Sequence, residues 1–245
     1  MPTWDELALL SHSLDLALFP PRCALGGEAL PTAPRARLCR TCRDTLLAND
    51  DARCVRCDLP LTSSADAPCP DCLAEPPEFV SLRAPYLYEG PLAELIRRIK
   101  LDADEGAART LAELFVECPD ILAAARATDV LVPVPLGFVR LWRRGFNQAG
   151  VLARALAQAT RQRVDYGLVR VRQTLTQRRL DRHQRAHNVH GAFRAAVERF
   201  AGRRVLLVDD VVTTGATART CARALLDAGA AEVRVAALAR TPKGR

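Results

Sequence analysis

The 245-residue sequence predicts an α/β protein, a parallel sheet flanked by helices, preceded by a small cysteine-rich zinc-binding domain. Three observations carry this expectation. Seven of the nine cysteines fall before residue 73, and six of them form C-x2-C pairs. From Val80 onward, short apolar runs alternate with amphipathic segments, the pattern of a sheet covered on both faces. One of those runs, "VLLVDDVVTTGATA" (205–218), ends in two adjacent acids and a turn of small hydroxyl residues. No apolar stretch approaches membrane-spanning length, because Pro133, Pro135 and arginines break the longest ones. The first residues carry Asp5, Glu6 and Asp15 and no basic cluster, so a signal peptide and a membrane span are not expected and the cytoplasm is.

In chain order, Trp4, Leu7, Leu10, Leu14 and Leu18 recur at helical spacing and predict a short amphipathic helix. Cys54, Cys57, Cys69 and Cys72 ("CVRC" and "CPDC") then form two knuckles, each presenting two thiolates to one cation. Together they make a tetrahedral zinc set, and a cytoplasmic chain has little use for a disulfide framework. The segment between them, "DLPLTSSADAP", has little that could form a core, so metal supplies most of its folding free energy. An earlier set is incomplete: Cys39 and Cys42 are paired, but Cys23 has Gly26 where a partner belongs. His12, Glu28 or a residue elsewhere completes it, or its thiols simply pack. Cys118 and Cys221 read as small buried residues. "AEPPEF" (74–79) reads as a linker, giving a zinc-binding domain over 1–75 and an α/β domain over 76–245.

In the α/β part, "VSLRAPYLY" reads as a strand, and "PLAELIRRIK" and "GAARTLAELFVEC" as helices. "DVLVPVP" reads as a buried strand, followed by a loop and the helix "NQAGVLARALAQAT". "VDYGLVRV" is strand-like. "RRVLLVDD" is the clearest strand, "GATARTCARALLDAGA" a helix ending at Gly229, and "EVRVAALAR" the last strand.

Ligands of such sheets sit outside the carboxyl ends of the strands, where Asp209 and Asp210 stand. The turn after them feeds a helix whose first amides are unpaired and partly positive. Gly215 permits close approach, and Thr213, Thr214 and Thr217 offer hydroxyls, so the turn makes a nest for phosphate. Carboxylates beside a phosphate address something else, and the vicinal hydroxyls of a sugar are the natural donors. A ribose 5-phosphate uses both halves; the plain alternative is a capped strand–helix turn with Thr as N-cap. Charge points the same way. Between Gly137 and Arg204 lie sixteen arginines against Asp165, Asp181 and Glu198, a local net of +13 in a chain of +7. Such a block implies phosphorylated ligands or nucleic acid, unless it is a solvated face or a compositional bias.

At these residues the sequence resembles a known superfamily. "VLLVDDVVTTGATA" is similar to the phosphoribosyl-pyrophosphate (PRPP) motif of type I phosphoribosyltransferases. Together with "LVPVPL", "RRGFNQA", "TQRRLDRHQRAHNVHGAF", "GAAEVRVAALAR" and the cysteine knuckles, the whole chain resembles the ComF family. The resemblance implies a type I phosphoribosyltransferase-like sheet behind an N-terminal zinc ribbon. It implies that Asp209 and Asp210 hold the ribose hydroxyls, and Thr213, Thr214, Gly215, Ala216 and Thr217 the 5-phosphate. Val132, Pro133, Val134 and Pro135 fall at the pyrophosphate loop. Arg143, Arg144, Asn147 and Gln148 fall in the region that closes over the pyrophosphate, and Lys100 matches a K-x-x-G position in which Ala103 replaces glycine. Gln177, Arg185 and Asn188 match a further pattern. His183, His187 and His190 form a weak second-metal candidate among arginines.

The implied cofactors are structural Zn²⁺ and Mg²⁺ carried with PRPP. The implied reaction is displacement of pyrophosphate from C1 of PRPP by an unidentified acceptor, in a protein of DNA uptake. The alternative is a non-catalytic competence factor whose fold and zinc module bind single-stranded DNA or a protein of the competence machinery. A PRPP-sensing regulator is a third, weaker reading.

Overall fold

A computed structural model describes residues 22–28, 30, 38–49, 52–61, 67–171 and 191–243. The amphipathic helix read over Trp4–Leu18, His12, the segment of Gln177, Arg185 and Asn188, and the three histidines all lie outside the described residues.

Five parallel strands form the main sheet, in the order β1 (Leu82–Arg83) and β2 (Tyr86–Leu87) beside β7 (Glu232–Arg240), then β6 (Arg204–Val212) and β3 (Val130–Pro133). Successive side chains of a strand point to opposite faces, and here both faces are buried. Leu131, Leu206, Val208, Ala236 and Leu238 meet the first helical layer. It comprises α3 (Gly90–Asp102), α4 (Glu105–Val116), α5 (Pro119–Arg126) and α7 (Gln148–Thr160). Val130, Val132, Val205, Leu207, Val233, Val235 and Ala237 face the second layer, chiefly α9 (Ala216–Asp227). The expected sheet flanked by helices is therefore the observed one.

Local chemistry sets the helix ends. Pro91 opens α3 in its first turn, where a missing amide costs nothing. Asp104 accepts from the Ala107 amide at 2.9 Å and caps α4. Ala103, between them, closes α3 in the left-handed region at φ 54°, a conformation glycine adopts freely and alanine at a cost of about 1 kcal/mol. That is the physical reason for a glycine at this K-x-x-G position, and this chain departs from it.

Several expectations are corrected. "VSLRAPYLY" is two short strands on β7, broken around Pro85, which has no amide for the ladder. "VDYGLVRV" leaves the main sheet after one parallel bridge, Leu131–Val164. Asp165 Oδ1 then accepts from the Gly167 amide at 2.7 Å, and β4 (Leu168–Arg170) pairs antiparallel with β5 (Phe193–Ala195) in a separate ribbon. The region read as a loop after β3 contains α6 (Phe138–Arg144), which buries none of its residues. α5 was not foreseen, nor were the short helices α1 (Arg40–Asp44), α2 (Pro70–Ala74) and α8 (Val197–Phe200).

The zinc module packs onto the sheet. Buried Asp58 accepts from the Ala84 amide at 2.6 Å and faces Arg53 and Arg83 at 3.7 and 3.6 Å. In the segment read as a linker, Glu75 and Glu78 pair with Arg219 at 2.8 and 3.4 Å, clamping it against α9.

Candidate functional site

β6 delivers Asp209 and Asp210 to the carboxyl edge of the sheet, half-buried on opposite faces. Lys100, from the last turn of α3, meets Asp210 Oδ2 at 2.8 Å, with its ammonium 5.9 Å from the Tyr88 ring centre. Burial disfavours charge on both acids, yet they separate. For Asp210 the Lys100 ammonium outweighs burial and holds the carboxyl below its usual range. Asp209 is pushed well above it, by burial and then by the neighbouring Asp210 charge. Burial works against the Lys100 ammonium too, but Asp210 prevails and raises its pKa. The pair thus presents one carboxylate locked to a cation and one carboxyl that gains from donors brought by a ligand.

The turn follows directly. Gly215 adopts φ 82°, which only glycine takes without strain, and serves as the N-cap of α9 without a side-chain bond. The alternative of a threonine N-cap therefore does not describe this helix. Thr214 Oγ1 instead accepts from the Ala216 amide at 3.4 Å inside the turn. Among the described residues, the amides of Thr213, Thr214 and Gly215 donate to nothing. Thr213 and Thr214 are exposed and Thr217 is half-buried, so hydroxyls, free amides and a helix N-terminus converge.

The third strand ends beside this edge. Val132, Pro133 and Val134 are buried and Pro135 is half-buried. The Val134 amide donates to Val208 O at 2.8 Å, and its carbonyl accepts from Asn147 Nδ2 at 3.0 Å. Arg144 Nη1 donates to Gln148 Oε1 at 3.3 Å. Burial and then Asp210 act in opposite directions on the Arg144 guanidinium, and burial wins. Gln148 is 5% exposed, and its Nε2 is a buried donor with no partner among the described residues. Arg143 points to solvent. Lys100, Arg144, Asn147, Gln148, the β3 end and the acid pair thus come to one edge, while Arg143 stands off.

The four thiols of Cys54, Cys57, Cys69 and Cys72 lie within 4.8 Å of one another. Cys54 Sγ accepts from the Cys69 and Cys57 amides at 3.1 and 3.5 Å, bonds that favour thiolate. This donor set fits tetrahedral zinc. Cys23, Cys39 and Cys42 also converge, and no fourth ligand joins them among the described residues. A Cβ on Gly26 would lie 3.1 Å from Cys42 Sγ and 4.0 Å from Cys23 Sγ, so the glycine occupies the fourth knuckle position and offers no ligand.

A cleft of about 750 Å³ opens on the Thr213–Ala216 turn and runs between α9 and the zinc module, over Phe79 and Phe193. Sequence reasoning missed one residue here. Arg240, the last residue of β7, is 4% exposed and bonds to carbonyls of both the knuckle and the turn. Its only signal was a cation closing the apolar run "VAALA" (235–239).

Two families match the chain: phosphoribosyl transferase domains over residues 112–245, and double zinc ribbon domains over 14–73. The DNA utilization protein YhgH of Escherichia coli K12 is 38% identical over 210 residues, covering 83% of this chain and 90% of that protein. Competence protein F of Haemophilus influenzae is 36% identical over 178 residues, covering 70% and 78%. The chain belongs to the ComF family. A more distant ComF relative, competence protein ComFC of Bacillus subtilis, is 27% identical over 206 residues and covers 81% of each chain. In this ComF chain the zinc ribbon carries one complete thiolate quartet and one site short by Gly26. Among the described residues no helix is long and apolar enough to cross a membrane.

Proposed function

We propose that this chain binds PRPP with Mg²⁺ and transfers its phosphoribosyl group to an acceptor. The observation that carries the reading is the junction at the end of β6, where the Lys100–Asp210 pair and Asp209 adjoin a turn with unused amides. Asp209 and Asp210 accept from the ribose hydroxyls, and the turn from Thr213 to Thr217 takes the 5-phosphate. At the carboxyl end of β3, the Arg144 guanidinium and the Gln148 Nε2 donor address the pyrophosphate. Mg²⁺ favours oxygen donors and keeps several waters, so Asp209, Asp210 and the ligand's own oxygens would suit it, and its charge would offset that of the departing pyrophosphate. Arg144 and Lys100 add fixed positive charge where negative charge develops. Zinc, held by Cys54, Cys57, Cys69 and Cys72, is structural.

Calorimetric titration with Mg-PRPP tests this. The natural chain binds, and Asp210→Asn, which removes the partner of Lys100, binds at least tenfold more weakly with unchanged zinc content. No heat from the folded, zinc-loaded natural chain refutes the proposal.

A second reading rests on α6. Phe138 and Trp142, one helical turn apart, are 77% and 79% exposed, among Arg140, Arg143 and Arg144. Aromatic faces beside guanidinium groups suit the stacked bases and phosphates of single-stranded DNA. The relatives' names, competence protein and DNA utilization protein, accord with it. In that reading the protein handles DNA during uptake, in the cytoplasm, alone or with a protein of the competence machinery.

A further inference from the structure

We propose that Arg240 is a positioning residue that sets the phosphate turn and ties it to the second zinc knuckle. The proposal rests on the reading of the Thr213–Thr217 turn as a phosphate site. The main chain of Arg240 is fixed on both sides, paired with Val212 of β6 and Leu87 of β2, and its carbonyl accepts from the Tyr88 amide at 2.8 Å. Its side chain turns inward. Nε donates to Cys57 O at 3.0 Å, and Nη1 donates to Val212 O at 2.9 Å, to Thr213 O, and at 3.4 Å to Thr241 O.

These acceptors make the argument. In a trans peptide the carbonyl and the following amide point in opposite directions, and no peptide bond described is cis. The Val212 carbonyl, which also accepts from the Thr241 amide at 3.0 Å, is held inward with that of Thr213, so the Thr213 and Thr214 amides turn outward. Those are two of the three unused amides of the turn. The guanidinium thus holds the Thr213 carbonyl and shares that of Val212 with the Thr241 amide, and because all its acceptors are main-chain carbonyls, it brings a buried positive charge beneath the phosphate position. A planar fork with several fixed donors suits this task, whereas an ammonium reaches fewer carbonyls. The Nε bond links the same side chain to Cys57, a member of the thiolate quartet. Order in the metal knuckle is thereby passed to the turn.

The test compares ribose 5-phosphate with magnesium pyrophosphate by calorimetry on the zinc-loaded full chain. Arg240→Met is expected to retain its zinc and circular dichroism, to bind ribose 5-phosphate at least tenfold more weakly, and to bind magnesium pyrophosphate within twofold of the natural chain. Arg240→Lys falls between, with at least a threefold loss. Equal losses for both ligands mean general damage and overturn the positioning role, as does a folded Arg240→Met that binds ribose 5-phosphate within twofold of the natural chain. If Arg240→Met does not fold, Arg240→Lys carries the same comparison. A natural chain that binds Mg-PRPP beside an unaffected Arg240→Met leaves the PRPP reading standing and removes this one. A natural chain that binds none of the three ligands removes both. Zinc chelation is expected to weaken ribose 5-phosphate binding at least threefold in the natural chain and less than twofold in Arg240→Met. No effect in the natural chain overturns the link to the knuckle.

Discussion

At the scale of single residues, the acid pair is organised by one lysine from another helix. Lys100 meets Asp210 at 2.8 Å with both side chains largely covered. Removing one partner of a buried ion pair leaves an unpaired charge, a loss of about 3–5 kcal/mol when burial is complete. Here part of each group sees solvent, so Lys100→Met is expected to destabilise by about 2 kcal/mol in urea unfolding. The pH dependence follows from the sign of the shift. A carboxyl depressed by Lys100 adds stability above its unfolded value near 4 and loses it as pH falls through the folded value. Without Lys100, burial dominates and the folded value rises, so the variant gains stability relative to the natural chain as pH falls toward the unfolded value near 4. Parallel curves for the two proteins between pH 3 and 7 contradict this.

The sequence made Asp209, Asp210 and the threonine turn legible because they are contiguous. It made Lys100 legible only through resemblance, since 110 residues separate it from Asp210. Arg240 was not legible in this role, because its acceptors come from Cys57, Val212 and Thr213, which only the folded edge brings together.

At the scale of elements, the zinc ribbon follows from spacing and the irregular strands do not. Four thiols at 54, 57, 69 and 72 converge as their knuckles require. Cys54→Ser is expected to lower zinc by one equivalent per chain in metal analysis; unchanged zinc refutes the assignment. The first set has glycine at the missing corner, so Gly26→Cys is expected to give two chelator-resistant equivalents where the natural chain has one. A variant still at one equivalent contradicts the view of Gly26 as the fourth corner. "VDYGLVRV" carries a sound strand pattern, yet most of it leaves the main sheet for an antiparallel ribbon. Periodicity reports the local conformation and says nothing of the partner strand. In α6, Phe138, Leu141 and Trp142 stand at i, i+3 and i+4, a helical pattern, yet the fold leaves that apolar face in solvent instead of burying it.

At the scale of the whole molecule, the basic block between Gly137 and Arg204 contributes α6, at the same edge as the acid pair. A surface that neutralises phosphates loses affinity steeply with salt. Single-stranded DNA binding, followed by fluorescence anisotropy from about 50 to 200 mM salt, is expected to fall at least tenfold. Trp142→Ala is expected to weaken it at all salts by about 1–3 kcal/mol, the worth of one stacked base. Binding indifferent to Trp142 removes α6 from that interface.

The sequence by itself determined the α/β class, the knuckles, and the adjacency of two acids to a small-residue turn. Each of these is encoded by neighbours in the chain, through strand alternation, ligand spacing and turn chemistry. The tertiary structure alone decided which acid is locked to a cation, how the turn's carbonyls are held, and how the Cys57 knuckle reaches the Thr213–Thr217 turn. Those are contacts between α3, β6, β7 and the ribbon. Their free energies depend on burial and on partners remote in sequence, which no local pattern records.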